Sequence, residues 1–282
     1  MIKSMRKEAR IRGIKMVYDD LGKGGVGEEG GIGEWKVILL IHGQPFNRSM
    51  WDDQKALLAQ NYRLIIPDLR GYGESGVTEG IVLLDELALD LMHLLDQLGI
   101  KKAVIIGLSM GGQIALEMYR WAPGLFRAIV LADTDARAED GPGYQNRIAL
   151  SNRILAEGLE KFTEERIGRF MCDTTFINKP DVVDRVKKMM KTTPAAGSAA
   201  AQRGRAERMD YTPLLGNIDF PALIVVGDKD EFTPIASADY MHQRIKGSEL
   251  AIIKDSGHIS NMEQADAFNG VLGKFLHELM IR

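Results

Sequence analysis

The chain has 282 residues, 45% hydrophobic and 27% charged, with a formal net charge of -3. That length suits one large core with a small insertion, and the near-neutral balance gives no reason to expect nucleic acid or an anionic membrane as partner. The lone cysteine, Cys172, excludes an intramolecular disulfide and a cysteine-based zinc site.

The segment from Met1 to Gly13 is charged from Lys3 onward and lacks the apolar stretch of a secretory signal. Apolar runs such as Val37 to Ile41 are too short to span a bilayer, so a cytoplasmic protein is expected. In chain order, β-branched runs predict strands at Ile11 to Tyr18, Val37 to Ile41, Arg63 to Ile66, Ala103 to Ile106, Ala128 to Leu131, Leu223 to Val226 and Leu250 to Ile253. Helical periodicity predicts Met50 to Gln60, Leu83 to Leu98, Gly111 to Trp121, Ala236 to Ile245 and Met262 to Met280. Such alternation, with several strands apolar throughout, implies an α/β fold with a mostly parallel, doubly wound sheet.

The alternation stops between Asp135 and Tyr211. Helical patterns lie near Tyr144 to Ala156, Lys161 to Phe170, Val182 to Lys191 and Ala195 to Arg208, punctuated by Pro142, Pro180, Pro194 and Pro213. The expected division is a core of residues 1–134 and 212–282 with a helical cap inserted at 135–211. Gly25 to Gly30 matches G-x-G-x-x-G, but Glu28 and Glu29 would repel phosphate and a strand follows where a helix is required. The stretch Gly22 to Gly33 therefore reads as a loop between two early strands.

Gly107-Leu108-Ser109-Met110-Gly111 matches G-x-S-x-G, which chance can supply in a glycine-rich chain. Its setting is more specific, because a strand runs into it and a helix runs out. Such a strained turn exposes the serine as a nucleophile, and small residues at 107 and 111 let the chain pass. A serine hydroxyl needs a general base. Of five histidines, His258 sits on a loop after a strand and late in the chain, where strand-end loops converge on a ligand site. His93, His242 and His277 fall within helical patterns, and His42 reads as a structural anchor of its loop.

For the acid, Asp230 in the loop after Leu223 to Val226 is the first choice, with Asp133, Asp135 and Asp228 as alternatives. No metal-binding loop follows Asp228, Asp230 and Glu231. The loop His42-Gly43-Gln44-Pro45-Phe46 supplies the Gln44 backbone N–H as an oxyanion donor beside that of Met110, with Gly43 and Phe46 expected to contact substrate.

Together these segments resemble the α/β-hydrolase superfamily along the whole chain. HGQP (His42 to Pro45) is similar to its oxyanion loop and PDLRGYGES (Pro67 to Ser75) to the turn after the next strand. GLSMGG resembles the nucleophile elbow, GDKDEFTP the acid loop and DSGHISNMEQ the histidine loop. Members that open epoxides or remove halide carry aspartate at the elbow, so serine at position 109 argues against those reactions. MWDDQ (Met50 to Gln54), the elbow and GHISNMEQADAFN (Gly257 to Asn269) are most similar to small carboxylesterases and 3-oxoadipate enol-lactonase-like hydrolases.

The resemblance implies hydrolysis of a small carboxylic ester through an acyl-enzyme, with no metal or organic cofactor. Lactone hydrolysis, C–C bond hydrolysis and a ligand sensor retaining the fold are the alternatives. In the cap, lysine and arginine outnumber the acids while the remainder is net acidic, which fits an anionic substrate such as an enol-lactone. The sequence leaves oligomeric state open.

Overall fold

The computed structural model describes residues 5–22 and 36–281. The Gly25 to Gly30 motif lies outside the described residues. Eight strands form one sheet among them: β1 (Met5–Ile11), β2 (Ile14–Leu21), β3 (Val37–Ile41), β4 (Arg63–Pro67), β5 (Ala103–Leu108), β6 (Phe126–Ala132), β7 (Ala222–Gly227) and β8 (Glu249–Ile253). Their order is β1-β2-β4-β3-β5-β6-β7-β8, antiparallel at β1–β2 and β2–β4 and parallel from there on.

The first expected strand, Ile11 to Tyr18, is strand from Ile14 onward as part of β2, but its start runs across the turn of a hairpin. Ile11 pairs with Ile14, and Arg12 and Gly13 both take positive φ, at 41° and 89°. Two such residues match the right-handed twist of the flanking strands. The apolar residues on either side of the turn hide it in the sequence.

The helices are α1 (Asp52–Leu58), α2 (Leu84–Gln97), α3 (Met110–Trp121), α4 (Gly141–Arg166), α5 (Asp173–Asn178), α6 (Pro180–Thr192), α7 (Ala195–Ala206), α8 (Thr212–Leu215), α9 (Ile235–His242), α10 (Ser260–Glu263) and α11 (Ala265–Ile281). The buried strands alternate strictly between two cores. Val37, Leu39 and Ile41 face the layer of α2, α3 and α9, while Ile38 and Leu40 face α1 and α11. With side chains of period two and helices on both faces, strands of this kind have no polar side.

Helices α4 to α8 fall between β6 and β7 in the chain. Two expected helices, Tyr144 to Ala156 and Lys161 to Phe170, join as α4 across a kink at Gly158, whose φ of 78° and ψ of 177° only glycine adopts readily. The short α5 was not foreseen.

The strands that follow β3 in sequence, β4 and β5, lie on opposite sides of it. At that point the loops leaving β3 and β5 part toward opposite faces and leave a crevice at the carboxyl ends of the strands. Ile41 of β3 pairs with Gly107 of β5, so the loop at 42–46 and the turn into α3 at Ser109 start level with each other.

Candidate active site

Ser109 links β5 directly to α3 with φ 56° and ψ -116°, a conformation L-residues avoid. Its surroundings hold it there. The Ser109 N–H donates to the Ala132 carbonyl at 2.9 Å, and its own carbonyl accepts from Thr134 Oγ1 at 2.7 Å and from the Gly112 N–H at 3.0 Å. A Cβ on Gly107 would stand 2.2 Å from the Gly111 carbonyl oxygen, and one on Gly111 2.2 Å from that of Ile41. Neither position can carry a side chain.

His258 occupies the loop between β8 and α10. Its Nε2 lies 2.8 Å from Ser109 Oγ, and its Nδ1 lies 2.8 Å from Asp230 Oδ2. An ionised carboxylate only accepts, so Nδ1 carries the proton and Nε2 is left to accept from the serine hydroxyl. Asp230 also accepts from the Phe232 N–H at 2.8 Å, the Thr233 N–H at 3.0 Å and Thr233 Oγ1 at 2.5 Å. Burial works against its charge. The positive charge His258 can carry, its hydrogen bond and those of Thr233 outweigh that and hold Asp230 below the usual carboxylate range. All three side chains are buried.

His42 is fully buried, and burial lowers its pKa. Its Nε2 accepts from the Leu69 N–H at 3.1 Å, so its Nδ1 must donate to the Gly43 carbonyl at 2.9 Å. This neutral imidazole ties the β3 loop to the Pro67 to Ser75 turn. A Cβ on Gly43 would lie 3.3 Å from Ser109 Cβ, so this backbone runs directly against the serine. Among the described residues neither the Gln44 nor the Met110 backbone N–H donates to another group. The Gln44 side chain is occupied elsewhere: Nε2 donates to Ser198 Oγ on α7 at 2.6 Å and Oε1 accepts from the Tyr72 hydroxyl.

A cavity of about 460 Å³ opens above Ser109, lined by His258, Gln44, Gln113, Phe170 and Phe232 among others. That size suits a small organic substrate. Phe46 is not on its wall. It is fully buried, edge-on to Phe170 with ring centroids 5.5 Å apart, so Phe170 faces the cavity and Phe46 backs it. Among the described residues no three His, Cys, Asp or Glu side chains group as a metal ion would need.

The family model for the alpha/beta hydrolase fold matches residues 36–265. This chain belongs to the alpha/beta hydrolase fold family. It is similar to 3-oxoadipate enol-lactonase 1 of Acinetobacter baylyi, at 30% identity over 86% of this chain and 89% of that one. It is also similar to the pimeloyl-[acyl-carrier protein] methyl ester esterase of Neisseria meningitidis, at 29% identity over 86% and 93%. Among solved structures, a thermophilic esterase from Thermogutta terrifontis, with malate bound, superposes with a TM-score of 0.90 at 33% identity, covering 98% of this chain and 99% of that one.

In this hydrolase the alternative acids have other partners. Asp133 is fully buried and accepts from Ser260 Oγ at 2.6 Å, the Ser260 N–H at 3.2 Å and the Gly227 N–H at 2.9 Å. Burial, then the nearby Asp230 charge, push its pKa well up. It ties the ends of β6, β7 and the histidine loop together without bonding to His258. Asp135 pairs with Arg137, and Asp228 Oδ1 accepts from the Ser256 N–H at 3.3 Å.

One supporting residue escaped the sequence reading. Glu263 of α10, fully buried, accepts from the Gly257 N–H at 2.7 Å, the Cys172 N–H at 2.8 Å and Thr175 Oγ1 at 2.7 Å. The His258 N–H donates to the Phe170 carbonyl at 2.8 Å. The histidine loop is thus fastened to the segment before α5 on two sides. Only the spacing of Glu263 five residues after His258 was visible beforehand, and spacing alone carries no such meaning. Among the described residues no helix is long and apolar enough to cross a membrane.

Proposed function

We propose that this hydrolase cleaves a small carboxylic ester by acyl transfer to water, with Ser109 as nucleophile, His258 as general base and acid, and Asp230 as the group that orients it. The observation that carries the reading is the unbroken chain of two 2.8 Å contacts from Ser109 Oγ through His258 to Asp230. As Ser109 Oγ attacks the carbonyl carbon, its proton passes to His258 Nε2, and Asp230 stabilises the imidazolium that forms. The Gln44 and Met110 N–H groups, free of other acceptors, are the candidate donors to the oxyanion.

His258 then returns the proton to the departing alcohol oxygen. Water repeats the sequence on the acyl-enzyme, releasing the acid and regenerating Ser109. Asp230, held in its charged form, favours the productive tautomer throughout. The cap is assigned to residues 135–211 and the core to 1–134 and 212–282, and the location to the cytoplasm.

Similarity to an enol-lactonase supports a second reading, lactone hydrolysis. The attack is the same, and the leaving oxygen merely stays tethered to the acyl group.

Ser109→Ala is expected to lower turnover of a short p-nitrophenyl ester by about 10⁴-fold or more while leaving the thermal midpoint within a few degrees. Near wild-type turnover in a folded variant would sink the assignment. Labelling of Ser109 by a fluorophosphonate without turnover of any ester or lactone would point to a ligand sensor.

A further inference from the structure

Five arginines line the cavity, against three carboxylates. The carboxylates are already spoken for. Glu139 accepts from both Arg147 and Arg208, and Asp135 from Arg137. Asp140 caps α4 by accepting from the Gly143 N–H. None remains for Arg205.

Arg205 lies near the end of α7 and is only 8% exposed. Its Nε donates to Gln113 Oε1 at 3.1 Å. Among the described residues no carboxylate pairs with it, and neither Nη1 nor Nη2 meets an acceptor. Gln113, one helical turn after Ser109 and 2% exposed, likewise leaves its Nε2 donors unused. Both side chains face the same cavity as Ser109. Burial first, then the charges of Arg147 and Arg208, disfavour the guanidinium's charge and outweigh the attraction of Glu139.

A buried cation whose attraction to its one acid, Glu139, is shared with two other arginines is a costly arrangement in a protein interior. Arginine stays charged even so, and an incoming anion would relieve it. A planar guanidinium fork beside an amide N–H₂ matches the two in-plane oxygens of a carboxylate.

We infer that Arg205 and Gln113 bind a free carboxylate on the substrate, so that the bond cleaved at Ser109 belongs to an ester or lactone of a dicarboxylic acid. This rests on the reading of Ser109 given above. The acyl group would lie between two fixed points, its carbonyl at Ser109 and its far carboxylate at Arg205.

The test compares p-nitrophenyl valerate with mono-p-nitrophenyl glutarate, which have the same chain length and differ in the terminal carboxylate. The succinate and adipate half-esters cover a different span. Wild type is expected to prefer the best half-ester over its neutral counterpart in kcat/KM by about 10-fold or more. In Arg205→Met that preference should fall roughly 10- to 100-fold, chiefly through KM, with Arg205→Lys recovering part of it.

A structural arginine would not reproduce the second readout. Without ligand, Arg205→Met should melt higher than wild type, because a poorly compensated buried charge is gone. Free glutarate should raise the midpoint of wild type and not of the variant.

An unchanged preference in Arg205→Met, or a lowered midpoint with both esters impaired alike, overturns the proposal. So does protection of wild type by inorganic phosphate as strong as by glutarate. If Ser109 takes no fluorophosphonate and neither ester turns over, the catalytic reading fails instead, and the glutarate shift still decides for or against Arg205.

Discussion

The core side of the cavity and the side built by α4 and α7 handle polar groups differently. On the core side, Ser109, His258 and Asp230 form a closed chain, and Asp230 has three further donors. Among the described residues the Gln44 and Met110 N–H groups there have no acceptor. On the helical side, arginines outnumber carboxylates and Arg205 has no ion pair of its own among the described residues. A saturated network holds a geometry in place, whereas an unsaturated one is stabilised only by what enters it.

The sharpest way to break this comparison is at the acid. Asp230→Asn should reduce kcat on a p-nitrophenyl ester by roughly 10³- to 10⁴-fold, since the wrong histidine tautomer would dominate. Asp133→Asn should cost no more than about 10-fold in kcat, with about 1–2 kcal/mol of stability lost as an acceptor disappears beneath the histidine loop. Reversed magnitudes in steady-state kinetics would exchange the two roles.

Backbone packing offers the next contrast. Gly111→Ala drives a Cβ into the Ile41 carbonyl. It should leave the protein insoluble or weakened by about 3 kcal/mol or more in urea unfolding. Gly158→Ala has open space around it and an unfavourable φ alone, so a loss of about 1–3 kcal/mol is expected.

The smallest effect concerns acid stability. Asp230 is held below the ordinary carboxylate range when folded. Its contribution is therefore present above that range and is lost as pH falls through the lowered value. Unfolding curves measured down the acid limb should be steeper in pH for wild type than for Asp230→Asn, and parallel curves would contradict the ionised assignment.

The candidate triad residues were legible because each follows an apolar strand, in a turn or short loop that glycines mark. The parallel character of most of the sheet follows from the same alternation. What stayed hidden depends on approach in space. The Arg12-Gly13 turn carries no signal distinct from the apolar residues around it, and Phe46 could not be told from Phe170 as the ring that meets the cavity. Arg205 is one of many arginines in its segment. Its burial, together with a Glu139 already taken by Arg147 and Arg208, sets it apart. An excess of positive charge in the segment was readable, but its focus was not.

The fastening of the histidine loop bears on how freely such a chain can be recombined. His258 hangs from the Phe170 carbonyl, and Gly257 shares Glu263 with Cys172 and Thr175. The helical segment and the candidate base are therefore one mechanical part. A chimera that imports another protein's helical insertion would have to bring a matching 170–175 segment, or lose the aim of His258 along with its old specificity.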